Sequence, residues 1–349
     1  MTTNGTRHGR RLAGALLMGL FALPSSVWAA ALQPLKVGAN HRFLVQADGT
    51  PFFYLADTAW ELFHRTDRWQ AAEYLEKRAS QGFTVIQAVA LAEVDGLSTP
   101  NMYGDLPLVD NDPTKPAVTP GANPQSPQEY DYWDHVDYIV EQANVRGLYV
   151  ALLPTWGSWL GVKGDDPKIV NASNAQSYGE FLGRRYRHQG IVWVLGGDRT
   201  GDGFEDVWRA LAKGIAIGVV GHEDYNAVLM SFHPRGGHSS STWFHNDPWL
   251  SFNMQQTSHG PAATTQGWAK IGADYDRQPV KPVVDGEPLY EDHPIGFRGG
   301  SRQNGFSSDA HVRQRAYWHV FAGACGFAYG NHAIWRMYAP AGSTRATAT

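Results

Sequence analysis

The feature that most constrains this chain is a two-part beat repeated along it. A short apolar run stops at glycine, proline or a polar residue, and a longer segment follows with apolar residues at helical spacing. The runs are "PFFYLADTAW" (51–60), "FTVIQAVA" (83–90), "LYVALLPTW" (148–156), "IVWVLGGD" (191–198), "AVLMSFHP" (227–234), "WLSFNMQQ" (249–256), "KPVVDGEP" (281–288) and "GFAYGNHAIW" (326–335). Their length and punctuation predict buried strands.

The segments between them predict helices. "SPQEYDYWDHVDYIVEQANVRG" carries a Ser126 to Glu129 capping box with Pro127 at the first helical position. It then sets Trp133, Val136, Ile139, Val140 and Ala143 on one face and stops at Gly147. "RWQAAEYLEKRASQG", "NAQSYGEFLGRRYRHQG" and "FEDVWRALAKGIAIGVVG" repeat the pattern, each ending on glycine.

Strand then helix, repeated, implies a parallel sheet. A doubly wound open sheet calls for a glycine-rich phosphate turn after an early strand, and "LADTAW" is not one. The expected fold is therefore α/β, a (β/α)₈ TIM barrel spanning residues 35–338. Residues 339–349, rich in Ala and Thr, stand where an eighth helix belongs, so an incomplete C-terminal end is expected. The long connections after the second and sixth strands fall on the active face of such a barrel and are expected to shape a pocket.

Residues 1–31 stand apart. Arg7, Arg10 and Arg11 precede the apolar run "LAGALLMGLFAL", and small residues close it, the pattern of a cleaved secretion signal. The run is shorter than the ~20 residues that span a bilayer. A secreted or periplasmic location is expected, with no stable membrane association after cleavage. With 29 Lys and Arg against 33 Asp and Glu and no basic cluster, nucleic acid is not expected as a partner. Cys325, the single cysteine, excludes an intrachain disulfide and reads as a small core residue.

In a barrel of this kind catalytic residues sit at the C-terminal ends of different strands. Asp198 ends the fourth run behind Gly196 and Gly197. Glu287 ends the seventh between Gly286 and Pro288. Two carboxylates facing each other across one rim are what glycosidic cleavage needs, one to protonate the leaving oxygen and one to attack the anomeric carbon or activate a water. Glu93 and Glu291 lie near the same rim as competing acids. Asp57, Trp60, Trp156, Arg199, His233, Gln255 and Trp335 also fall at or beside strand ends and are expected to contact substrate, since indole faces and hydrogen-bonding groups together suit a sugar.

Other chemistries fit less well. The first strand lacks the His-x-His of many metal hydrolases, and His233, His238 and His245 are separated by Gly and Ser, so no metal and no cofactor is expected. No G-x-S-x-G elbow occurs. A sugar-binding barrel without turnover and a glycosidase acting on a different glycan are the remaining alternatives.

The segments "LADTAWELFHR", "YLEKRASQGFTVIQAV", "YWDHVDYIVEQANVRGLYVALLPTWG", "VWVLGGDR" and "PVVDGEPLYE" resemble the apiosidase-like catalytic domain, glycoside hydrolase family 140, over about residues 35–338. The resemblance implies a (β/α)₈ barrel, with Asp198 as acid/base and Glu287 as nucleophile of a retaining glycosidase. It also implies apiose in the side chains of the pectin rhamnogalacturonan II as substrate. Members usually continue into a C-terminal β-sandwich, whereas this chain stops soon after the eighth strand.

Overall fold

The computed structural model describes residues 1, 2, 32–164, 166–261, 265–296 and 304–338. The expected secretion signal lies outside the described residues, apart from its first two. The described residues from Leu32 onward belong to one compact unit.

A three-stranded antiparallel sheet comes first: β1 (Leu35–Val37), β2 (Leu44–Gln46) and β3 (Pro51–Phe52). Leu44 and Phe52 turn into the same apolar cluster as the barrel interior, so this sheet plugs one end of the barrel. The run 51–60, expected as one strand, is thus divided between β3 and the first barrel strand.

The barrel strands are β4 (Tyr54–Thr58), β5 (Val85–Val89), β6 (Tyr149–Leu153), β7 (Ile191–Gly196), β8 (Met230–His233), β9 (Asn253–Gln255), β10 (Val283–Asp285) and β11 (Gly326–Tyr329). Each lies within one of the eight expected runs. They pair in parallel in the order β8-β7-β6-β5-β4-β11-β10-β9. The seam between β8 and β9 is joined by Ser251 N–H donating to the Met230 carbonyl (2.8 Å) and by Ser231 Oγ donating to the Phe252 carbonyl (2.7 Å). The result is a nearly closed (β/α)₈ barrel.

Strand alternation sorts the core into two layers. Tyr149, Ala151 and Leu153 of β6 and Val192 and Val194 of β7 face the barrel interior. Val150, Leu152, Trp193 and Leu195 face outward to the helices. Those helices are α1 (Leu62–Arg65), α2 (Arg68–Ser80), α3 (Tyr132–Asn144), α4 (Ala175–Tyr186), α5 (Glu205–Val220), α6 (Ser241–Phe244), α7 (Gly267–Tyr275) and α8 (Asp309–Phe321). Among the described residues none is long and apolar enough to cross a membrane. After β11 the described residues form turns and no helix.

The helix expected from Ser126 begins later. Residues 126–129 make a turn, and α3 starts at Tyr132 behind Asp131, whose carboxylate accepts from Trp133 N (2.7 Å) and Asp134 N (3.0 Å). An aspartate that satisfies two free N–H groups, with Asp134 returning a bond to the Asp131 N–H, outcompetes the weaker serine box upstream. The five face residues of that helix are all buried as expected, and Cys325 is buried in the core.

Candidate active site

Two glycines set up the first acid. Gly196 (φ 95°) and Gly197 (φ 123°) both lie in backbone regions that side chains rarely tolerate, and Asp198 follows at φ 51°. A Cβ at Gly196 would stand 2.3 Å from the His233 carbonyl. The chain therefore leaves β7 in a tight left-handed turn that aims Asp198 into a cavity of about 980 Å³ at the C-terminal face. Asp198 sits two residues beyond the strand and Glu287 two beyond β10, each slightly further along the chain than expected.

Glu287 is braced from below. Gln87, inside the barrel, donates from Nε2 to the Gly286 carbonyl (2.9 Å) and to Thr58 Oγ1 (3.1 Å), while Tyr54 donates to Gln87 Oε1 (3.0 Å). Gly286 N–H donates to the Gln255 carbonyl (2.8 Å), and the Glu287 carbonyl accepts from Ser258 N (3.0 Å).

Two imidazoles hold the Glu287 carboxylate. His259 Nε2 lies 3.0 Å from Oε1 and His233 Nε2 lies 3.1 Å from Oε2. Burial alone would raise its pKa, but the two histidines reverse that and carry it well below the usual carboxylate range. Asp198 goes the other way. Burial and the neighbouring Glu287 charge raise it, against weaker pulls from His233, Arg199 and Gln256. Gln256 Nε2 donates to Asp198 Oδ1 (3.3 Å), and Arg199 Nη1 donates to its backbone carbonyl (3.1 Å) and Oδ2 (3.4 Å). One cavity thus holds an ionised carboxylate beside one biased toward its protonated form, the pairing general acid–base chemistry needs.

The structure distributes the remaining expected residues unevenly. Trp60, Trp156, Arg199 and Trp335 line the cavity with both acids. Trp60 and Trp156 are only 2% exposed each and pack at 5.2 Å, so their rings serve mainly as its floor, and half-buried Trp335 offers more open face. His233 is fully buried and meets Glu287 from behind rather than lying open to substrate.

Two further expected contacts are corrected. Asp57 faces the helices, pairing with Arg78 Nε at 2.6 Å and bonding Tyr74, because Tyr54, Ala56 and Thr58 take the inward positions of β4. Gln255 likewise points outward, where its Nε2 donates to Asp274 Oδ2 (2.7 Å). Its neighbour Gln256 takes the inward position and reaches Asp198. Glu291 accepts from Tyr329 (2.7 Å) and does not line the cavity, whereas Glu93 does.

Sequence reasoning missed Gln256, His259 and Tyr290. Period-two counting from inward Met254 would have found Gln256. His259 lies in the long connection already marked as pocket-forming. Tyr290, which accepts from Trp60 Nε1 (3.2 Å), follows the Glu287 motif closely. Among the described residues, no group of three or more His, Cys, Asp or Glu is arranged to hold a metal ion.

Comparison with known proteins bears on this geometry. No curated protein matches the chain. A glycoside hydrolase family 5 structure from Bacteroides vulgatus is 34% identical with a TM-score of 0.77, covering 88% of this chain and 64% of its own. Another structure described as a glycoside hydrolase is 36% identical with a TM-score of 0.77, covering 88% of this chain and 68% of its own. The chain therefore spans about two thirds of the length of these relatives. An endo-1,4-β-mannanase from Rhizomucor miehei, 15% identical with a TM-score of 0.54 over 84% of this chain and 90% of its own, shares the fold alone. The model of the apiosidase-like catalytic domain matches residues 38–348, which take in every barrel strand and both carboxylates. This glycoside-hydrolase barrel belongs to the apiosidase-like catalytic domain family.

Proposed function

We propose that the protein is an exported retaining glycoside hydrolase that removes a terminal sugar, apiose or a similar one, from pectin side chains. The observation that carries this reading is the opposed protonation bias of two carboxylates lining one cavity, Glu287 held ionised and Asp198 held toward its acid form.

Glu287 attacks the anomeric carbon while the bond to the leaving oxygen breaks and that oxygen takes the Asp198 proton. This leaves a glycosyl ester on Glu287 and a carboxylate at Asp198. Water then attacks the same carbon, Asp198 accepts its proton, and Glu287 departs as a carboxylate.

Lys163, Arg199 and Arg235 line the cavity together with the two carboxylates and give it a basic margin. Such a basic margin supports an acidic polysaccharide as the aglycone, and pectin is a polymer of uronic acids. The Arg-led apolar N-terminus supports export to where such a polymer is met.

The test is ¹H NMR of the sugar first released from pectin-derived oligosaccharides. Release with the anomeric configuration kept is expected. Release with inversion overturns the covalent step, and no release by the folded protein overturns the glycosidase reading.

A further inference from the structure

The segment after β5 is fastened on both sides of one residue. Trp159 Nε1 lies 3.1 Å from the carbonyl oxygens of both Leu91 and Ala92, and the buried Glu61 accepts the Val94 N–H on Oε1 at 3.1 Å. Glu61 is itself held, by His64 Nδ1 at 2.9 Å and Arg65 Nε at 3.3 Å. The residue between these anchors is Glu93, and it lines the cavity with Asp198 and Glu287.

Other acids of the barrel have partners. Asp57 has Arg78, Asp274 has Ser239, Ser241 and Gln255, Asp285 has Thr257 and His319, and Glu287 has two imidazoles. Glu93 makes no hydrogen bond or ion pair with the described residues. A carboxylate has about four acceptor sites, and one that lines a cavity on an anchored backbone, with no protein donor on it, is open to a hydroxyl of what enters the cavity.

On the glycosidase reading above, we infer that Glu93 is a third functional carboxylate, which hydrogen-bonds a hydroxyl of the bound sugar and so helps to decide which sugar is accepted. Its charge state suits that contact. Burial first and the Asp198 charge second push it up to about 7, with Arg199 pulling the other way, so near neutral pH both its donor and its acceptor forms are present. A hydroxyl can use either.

The test uses the whole chain, the Glu93→Gln and Glu93→Ala variants, and a pectin-derived oligosaccharide ending in apiose as the probe. For a contact to a carboxyl group, kcat/KM should fall about 10-fold in Glu93→Gln and about 100-fold in Glu93→Ala. In the Glu287→Gln background, where turnover is blocked, calorimetry should show the probe bound about 10-fold more weakly once Glu93→Gln is added. A residue that only props its loop would change the melting temperature and leave that affinity alone.

Release by the wild type with binding independent of Glu93 overturns this inference and spares the glycosidase reading. Binding that depends on Glu93 without release by the wild type does the reverse. No binding in either background overturns both. Should Glu93→Ala fail to fold, the isosteric Glu93→Gln carries the test by itself.

Discussion

His233 Nε2 stands 3.1 Å from Glu287 Oε2, while Nδ1 of the same ring accepts the backbone N–H of Asp198 at 3.4 Å. One imidazole therefore reaches from the backbone of one acid to the side chain of the other. Because Nδ1 accepts, the ring proton of the neutral form resides on Nε2, facing the Glu287 carboxylate.

The pH dependence of kcat/KM follows from this arrangement. On the proposed mechanism, activity needs Glu287 ionised and Asp198 protonated in the free enzyme. Lowering Glu287 moves the acid limb to lower pH, and raising Asp198 moves the basic limb to higher pH, so the active window widens on both sides. Initial rates across pH should place the acid limb below the ordinary glutamate value of about 4.3. A limb at or above that value would contradict the role of the two histidines.

Removing one histidine should move that limb. In His259→Ala, Glu287 keeps its burial but loses the 3.0 Å contact on Oε1, so its pKa rises. The expected result is a fall in kcat/KM of about 10- to 100-fold at neutral pH and an acid limb displaced upward. An unshifted profile would show that His233 suffices.

Asp57 and Gln255 should behave as structural residues and Gln256 as a functional one. Asp57→Asn leaves the Arg78 guanidinium, 12% exposed, without its counter-ion and should cost about 3–5 kcal/mol in urea unfolding, with KM unchanged. Gln255→Ala withdraws a donor from the buried Asp274 and should cost about 1–3 kcal/mol. Gln256→Ala should instead lower kcat/KM by about 10-fold at nearly unchanged stability, since it frees Asp198 Oδ1. The opposite pattern in either glutamine would reverse the inward and outward faces of β9.

Gly197→Ala tests the turn that aims the acid. At φ 123° a Cβ is strained, and it would stand 2.8 Å from the Trp156 ring and 2.9 Å from the Gly157 amide nitrogen. A loss of about 1–3 kcal/mol is expected from the backbone strain. A fall in kcat/KM of at least ~10-fold is expected from misplacing Asp198. Kinetics like those of the wild type would mean that the turn absorbs the methyl group without moving the carboxylate.

Much of the barrel could be read along the chain because its causes are local. Strand runs such as "IVWVLGGD" and helix faces such as Trp133 to Ala143 are written as apolar spacing, and glycine and proline mark their ends. The placement of Asp198 and Glu287 at one cavity was legible for the same reason, since each follows a strand with glycine beside it. Even here local signals misled in places: the Ser126 box lost to Asp131, and "PFFYLADTAW" was divided by Phe53, because capping strength and sheet pairing are settled against competitors elsewhere in the chain.

What only the tertiary structure decided is which neighbours each side chain meets. A one-residue change along a strand exchanges cavity for helix layer, which is why Asp57 and Gln255 face outward while Gln256 faces inward. The different protonation of two acids of similar chemistry depends on His233, from β8, and His259, from the connection after β9, meeting Glu287 after β10. Strand identity is a property of a segment, but burial and charge around a carboxylate are set by residues far away in sequence, and the closed barrel brings them within about 3 Å.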